Sequence, residues 1–571
     1  MPGLKRAVIV GALIGAVMGF VDTYGYAVTG YTTAELSLVI TPVLVMVVYR
    51  LLMKSVPSPS EQLLASLVAV GSSLSTTITS GMYITYTMLA TMIDPGAIGL
   101  PQWLYYSGPL TPMHYLFYIF ATASSLSGVL LAYAFSDHFI SKERLHYPIG
   151  VSASLSILIS RAVSSKEVAL VFAAGLGTEL LLGILGFPLL DLTPSLQGIV
   201  PGMAFAVGTD ILVLLLALML PISVTAGVAL GSMSMFLVVL PIMAFAGLFA
   251  AFPGMGVYDV VSSAAPTMSS FIIGYVVMIT AFYFLSYRGV FLSSLRFIVR
   301  TRETRTSLLI ALTIQLLTIV LAAMPTTRNS YFPPVFIPVV FLVSFLLSVV
   351  TMRMVGETGT ASQALLPLGT ATILASGARG AMPYVLADPY TGVPMPQFMA
   401  GTGMNVIKAA EKVGTPKRLA VGLLGMSTLI FAPLTLLYGY VLLNTYGISS
   451  PRLNLSRWIP IVAWMSSLYS GGEGSIVVPA AVAGSIAFFV VLALTQSLKS
   501  LAGLSAFAFL LGTTLTPDMG ILFAVAALVK FVAYRMGTDV YEALLAYASI
   551  ALSGAGAGIM ITTVMSALGV V

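Results

Sequence analysis

The chain has 571 residues, of which 58% are hydrophobic and only 8% charged, and its mean hydropathy of +1.03 lies far outside the range of soluble domains. Cysteine is absent, which excludes disulfides, thiolate metal sites and a cysteine nucleophile. A net charge of +6 would suggest nucleic acid in a soluble protein, but here the basic residues gather in short connections and the excess is topological.

A membrane crossing needs roughly 20 apolar residues. Stretches 95–136, 211–258, 419–451 and 543–571 contain no Asp, Glu, Lys or Arg and are far longer than that. Their runs are apolar on every side, without the alternation of a membrane β-barrel. The expected fold is therefore an all-α polytopic membrane protein of about 16 transmembrane helices. Helices are predicted over 5–28, 34–53, 61–92, 113–139, 166–187, 198–219, 222–247 and 266–287. In the second half they are predicted over 306–324, 331–355, 361–386, 418–444, 475–495, 499–514, 518–536 and 542–566.

The opening "MPGLKRAVIVGALIGAVMGF" runs on without a cleavage site and reads as a retained helix, not a signal peptide. Its Gly11, Gly15 and Gly19 recur every four residues, a surface for close helix packing. Where this helix ends, Asp22 and Tyr26 share a face and precede Thr29 and Gly30. An ordinary interfacial helix end is the plain alternative to a functional cluster there. In "TTITSGMYITYTML" (76–89), Tyr83 and Tyr86 stand among hydroxyls. They suit either a wall that hydrogen-bonds a peptide-like solute or simple interhelical bonding.

His114, His138 and His146 have no metal-ligand spacing. Glu179 in "GLGTELLLG" and Asp210 in "VGTDILVLL" are acids within apolar runs, and either could titrate or be structurally paired. The arginine-rich "SYRGVFLSSLRFIVRTRETRTS" (286–307) falls near the middle of the chain. It divides an N-terminal transmembrane half, 1–287, from a C-terminal half, 306–571, with a basic cytoplasmic linker at 288–305. The halves look weakly related, each opening with a helix that ends in a glycine-broken polar stretch. Each also carries a basic segment with a proline, "SKERLHYPIG" (141–150) and "KAAEKVGTPKRLAVG" (408–422), both read as cytoplasmic. The positive-inside rule then places the N-terminus in the cytoplasm and the chain in a plasma or inner membrane.

Within "MRMVGETGTASQALLPLG" (352–369), Arg353 and Glu357 are four residues apart and can neutralise each other. Gly356 and Gly359 weaken the helix, while Thr358, Thr360 and Gln363 can satisfy freed backbone or meet a ligand. An interrupted helix beside an aqueous cavity, its carboxylate carrying a proton, is one reading. A structural ion pair at the cytoplasmic end is the other. Glu35, Arg379 and Glu473 complete the charged residues in or near spans. No phosphate-binding GxxxxGK[ST] motif exists, and lysines are expected only at helix ends, which argues against a central lysine relay. A secondary carrier, a channel and an intramembrane enzyme acting on lipid-linked substrates remain.

At "RMVGETGTASQALLPLG" the chain resembles the oligopeptide transporter superfamily, which includes yellow-stripe-like carriers of metal chelates, in an archaeal or bacterial form. Further landmarks follow in family order: "RAVIVGALIGAVMGFVDTYGYAVTGYT", "SPSEQLLASLVAVGSSLS", "ERLHYPIGVSAS" and "GTGMNVIKAAEKVGTPKRLAVG". The resemblance implies two related eight-helix halves and a proton-coupled symporter of short peptides or peptide-like compounds, with metal-siderophore or other metal-chelate complexes as the alternative cargo. It implies no cofactor and no enzymatic activity. Substrate contacts are expected from Arg353, Thr358, Thr360, Gln363, Tyr26, Tyr83 and Tyr86, and proton coupling from Glu357, Asp22, Glu179 and Asp210. Expected partners are the substrate, protons or sodium, the lipid bilayer, further copies of this chain in a homo-oligomer, and no nucleic acid.

Overall fold

A computed structural model describes residues 3–29, 34, 37–162, 165–185, 189–324, 330–360, 362–387, 396–448, 462, 465–466, 469, 476–497 and 504–567. The first half comprises α1 (Leu4–Thr29), α2 (Ser37–Leu52), α3 (Pro59–Thr76), α4 (Met82–Met92), α5 (Pro112–Ser125), α6 (Ser127–Ser136), α7 (Pro148–Ala162) and α8 (Ser165–Ile184). It continues with β1 (Leu190–Asp191), α9 (Thr193–Gln197), β2 (Ala206–Val207), α10 (Ile211–Met219), α11 (Ile222–Ser234), α12 (Leu240–Phe245) and α13 (Val257–Ser286). The second half comprises α14 (Arg288–Arg300), α15 (Arg302–Ala322), α16 (Ile337–Thr358), α17 (Ser362–Ala375), α18 (Ala381–Ala387), α19 (Pro396–Val413) and α20 (Lys417–Tyr446). It closes with α21 (Val478–Ser497), α22 (Ala506–Thr513), α23 (Pro517–Met536) and α24 (Thr538–Ala567).

Twelve helices among the described residues are long and apolar enough to cross a membrane. The chain is thus an all-α multi-pass membrane protein, in which the short antiparallel pair β1–β2 is a local feature.

Helices approach closely where glycine removes a side chain. A Cβ on Gly274 of α13 would run into the Ala481 carbonyl of α21, and one on Gly484 of α21 into the Phe271 carbonyl of α13. Gly11 and Gly19 meet α3 at Ala65 and Ser72, as their spacing predicts. Gly175 of α8 and Gly554 of α24 similarly lie against each other's helix.

Several boundaries differ from expectation. Residues 198–210, predicted helical, form a turn and strand because Gly202 takes φ +83° and Asp210 caps α10 from outside. Helix α13 begins at Val257 and runs through Pro266, so that proline does not mark its start. The predicted helix 361–386 breaks around Gly377 and Gly380, both at positive φ, where Tyr331 and Arg379 exchange backbone hydrogen bonds of 2.9 and 2.8 Å. The basic 288–305 segment is α14 and the start of α15. Arginines alternate there with exposed Leu292, Phe297 and Val299, giving an amphipathic helix.

The largest correction concerns α7 and α19, which lie in the stretches 140–165 and 387–417, where no helix was predicted. Residues Pro396 to Ala410 of α19 are almost all buried, packed on α6, α16 and α7. Small and polar residues concealed α19 from a hydropathy reading, because its burial is against protein and not against lipid, whereas α7 is apolar but, at 15 residues, too short to read as a crossing.

Candidate functional site

Helix α16 carries its two charged residues into a polar cluster where it meets α6, α13 and α22. Arg353 pairs with Glu357 at 3.1 Å and, through its other terminal nitrogen, with Glu143 in the connection before α7. The Tyr283 and Tyr287 rings lie 4.8 and 4.5 Å from the guanidinium, so the cation is held by two carboxylates and two aromatic faces. Glu143 is 5% exposed, and it also accepts from Tyr283 Oη at 3.0 Å and lies 2.9 Å from His138 Nε2.

The hydrogen-bond polarity that serves every group runs in one direction. Lys142 Nζ donates to Ser294 Oγ at 3.0 Å, the Ser294 hydroxyl donates to His138 Nδ1 at 2.7 Å, and His138 Nε2–H donates to Glu143. His138 is then neutral, and the two carboxylates outnumber the one guanidinium they share. Glu357 is the accessible carboxylate: its side chain is 23% exposed, and it accepts from Ser505 Oγ at 2.5 Å. Ser505 is also the N-cap of α22, accepting from the Phe507 and Ala508 amides at 3.1 and 3.4 Å.

Immediately beyond Glu357 the helix stops. Gly356 does not interrupt it; it admits Leu145 and Tyr147 against the backbone. Gly359, at φ +85°, ends it, donating to the Val355 carbonyl at 2.8 Å. Thr358 folds its hydroxyl back to Met354 O at 2.7 Å and to Thr360 O. The Gly359 carbonyl accepts from Asn405 Nδ2 at 3.1 Å, while Asn405 Oδ1 accepts from Gly150 N at 3.1 Å. One buried amide therefore clamps α7, α16 and α19 together at the break. A small crevice opens there, lined by Ile149, Val355, Gly359, Thr360, Phe398 and Asn405 among others.

The remaining predicted residues do not join this site into one cavity. Tyr83 and Tyr86 are fully buried in a separate core cluster with Tyr118, Tyr384 and Tyr469, so they present no open wall to a solute. Their rings pack against aromatic neighbours, the Tyr83 ring 6.1 Å from that of Tyr118 and Tyr86 Oη 3.4 Å from Tyr469 Oη. Tyr26 bonds Thr85 at 2.7 Å beside the same cluster. Asp22 is buried at 4% exposure, and its neighbour Thr23 bonds Ser80 at 2.9 Å. Asp210 is the N-cap of α10, accepting from Leu212 and Val213 amides at 3.0 and 3.1 Å, which accounts for an acid at that point without invoking transport. Glu179, 1% exposed, sits against Gly558 of α24. Among the described residues no hydrogen bond or ion pair links Glu179 or Asp210 to Glu357. The Gln363 side chain, Glu35 and Glu473 lie outside the described residues.

Sequence reasoning missed Glu143, His138, Asn405 and Ser505. The signal for Glu143 was its rarity, one of 19 acids; the others carried none. It also placed Lys530 at a helix end, whereas Lys530 lies inside α23 with no exposure. Its Nζ lies there within hydrogen-bond reach of three oxygen acceptors.

Comparison with protein-family models finds no match for the chain, and comparison with curated proteins finds none either.

Proposed function

We propose that this membrane protein is a secondary active, proton-coupled importer of short peptides or peptide-like compounds, oriented with its N-terminus in the cytoplasm. The carrying observation is the position of Glu357, a partly accessible carboxylate held by Arg353 and Ser505 two residues before the helix stops at Gly359, where Gly359 and Thr360 line a small crevice. Helices interrupted within the membrane, with the site at the interruption, are how secondary carriers are built. Glu357 exchanges the proton. Arg353 holds the unprotonated carboxylate, and Glu143 keeps that guanidinium in place whichever state Glu357 adopts. Thr360 at the rim of the crevice contacts substrate. The order of the motifs resembling the oligopeptide transporters supports the same reading.

The test is uptake into proteoliposomes under an imposed pH gradient, with labelled di- and tripeptides and, in a parallel arm, metal chelates. Glu357→Gln should abolish gradient-driven accumulation while counterflow exchange persists. Accumulation by Glu357→Gln at the wild-type rate removes the proton role. Uptake confined to the chelate arm changes the cargo, and currents that do not saturate with solute replace the carrier with a channel.

A further inference from the structure

The buried Lys530 belongs to a second, separate arrangement. Helix α10 ends at Met219, Leu220 is extended, and Pro221 opens α11 without an N–H to offer. The last carbonyls of a helix have no backbone partner within it; here Ala217 O, from the last turn, and Leu220 O, from the extended residue after it, converge with Thr225 Oγ, whose hydroxyl donates to Ala217 O at 3.0 Å. Lys530 Nζ reaches that point from α23, 2.8 Å from Ala217 O, 2.7 Å from Leu220 O and in contact with Thr225 Oγ. An ammonium has three donors, and each has an acceptor. None of these acceptors is a carboxylate, so the helix-end carbonyls themselves supply the negative potential.

Unwound carbonyls and a hydroxyl gathered at the C-terminal end of a half-helix are the ligand set with which carriers bind a small desolvated cation. We propose that the α10–α11 break is a monovalent-cation site whose resident cation is the Lys530 ammonium, tethered to α23 in place of a free ion. The break consequently requires no inorganic cation while the arm is in place, and removing the arm exposes the site to one. This rests on the oxygen geometry alone and stands or falls independently of peptide import.

The full chain in detergent is tested by its thermal midpoint in ammonium, sodium or choline chloride at equal ionic strength. Lys530→Ala should melt lower than wild type and be raised by ammonium or sodium by roughly 3 °C or more over choline. Wild type and Lys530→Met, whose side chain fills the space without charge, should not discriminate among the salts. A Lys530→Ala protein equally indifferent overturns the proposal. Should that variant not be recoverable, Thr225→Val decides on the remaining backgrounds. It should lower the midpoint of wild type more than that of Lys530→Met, and an equal loss in both overturns the assignment.

Discussion

Glu143 and Arg353 stand 210 residues apart in the chain and meet in an ion pair whose side chains are only 5% and 11% exposed. Removing the Glu143 charge leaves the guanidinium to Glu357 alone and takes a carboxylate acceptor from Tyr283 and His138, a cost of about 1–3 kcal/mol. Glu143→Gln should therefore lower the thermal midpoint sharply, and adding Arg353→Met should recover part of the loss. Thermal unfolding of both single variants and the double closes the cycle; strictly additive losses would show that the pair is not coupled.

Gly359 adopts a backbone conformation that costs other residues about 1–3 kcal/mol, and an added Cβ would lie 3.1 Å from Leu220 Cδ2 and 3.3 Å from Ile149 Cγ1. Gly359→Ala should destabilise the break and reduce uptake more than it reduces the amount of folded protein. Fluorescence-detected size exclusion on the same preparations used for uptake separates the two effects.

Packing glycines and exposed glycines should respond in opposite directions. Gly274→Ala or Gly484→Ala drives a methyl into a neighbouring backbone carbonyl and should cost at least about 1–3 kcal/mol. Gly422, exposed within α20 with no neighbouring atom within 4 Å of an added Cβ, gains helix propensity as alanine, about 0.5–1 kcal/mol. Midpoints of the three variants under one condition check the contrast.

The cysteine-free sequence makes orientation directly measurable. Pro253, before α13, and Arg296, on α14 after it, are exposed near opposite ends of a 30-residue helix, a length of roughly 45 Å that exceeds the hydrocarbon core. Pro253→Cys in intact cells should react with a membrane-impermeant maleimide, and Arg296→Cys only after the membrane is opened. The reverse pattern inverts the proposed topology.

Composition by itself determined that this chain lives in a bilayer as helices, because lipid offers no partner to an unpaired backbone group and 8% charge cannot solvate a surface of this size. Residue spacing exposed the Arg353–Glu357 pair and the Gly359 break, since a charge four residues from its opposite and a glycine beside a helix end are local facts. Tertiary structure alone decided who shares the guanidinium. Glu143, Tyr283 and Ser505 reach the pair from distant segments, and no spacing along the chain encodes that convergence. It also separated Tyr83 and Tyr86 from the pair and buried Lys530, because a hydroxyl or an ammonium inside the membrane is placed by whichever helix brings it an acceptor. Helix α19 was hidden for a related reason: hydropathy measures contact with lipid, and its small polar residues are covered by protein.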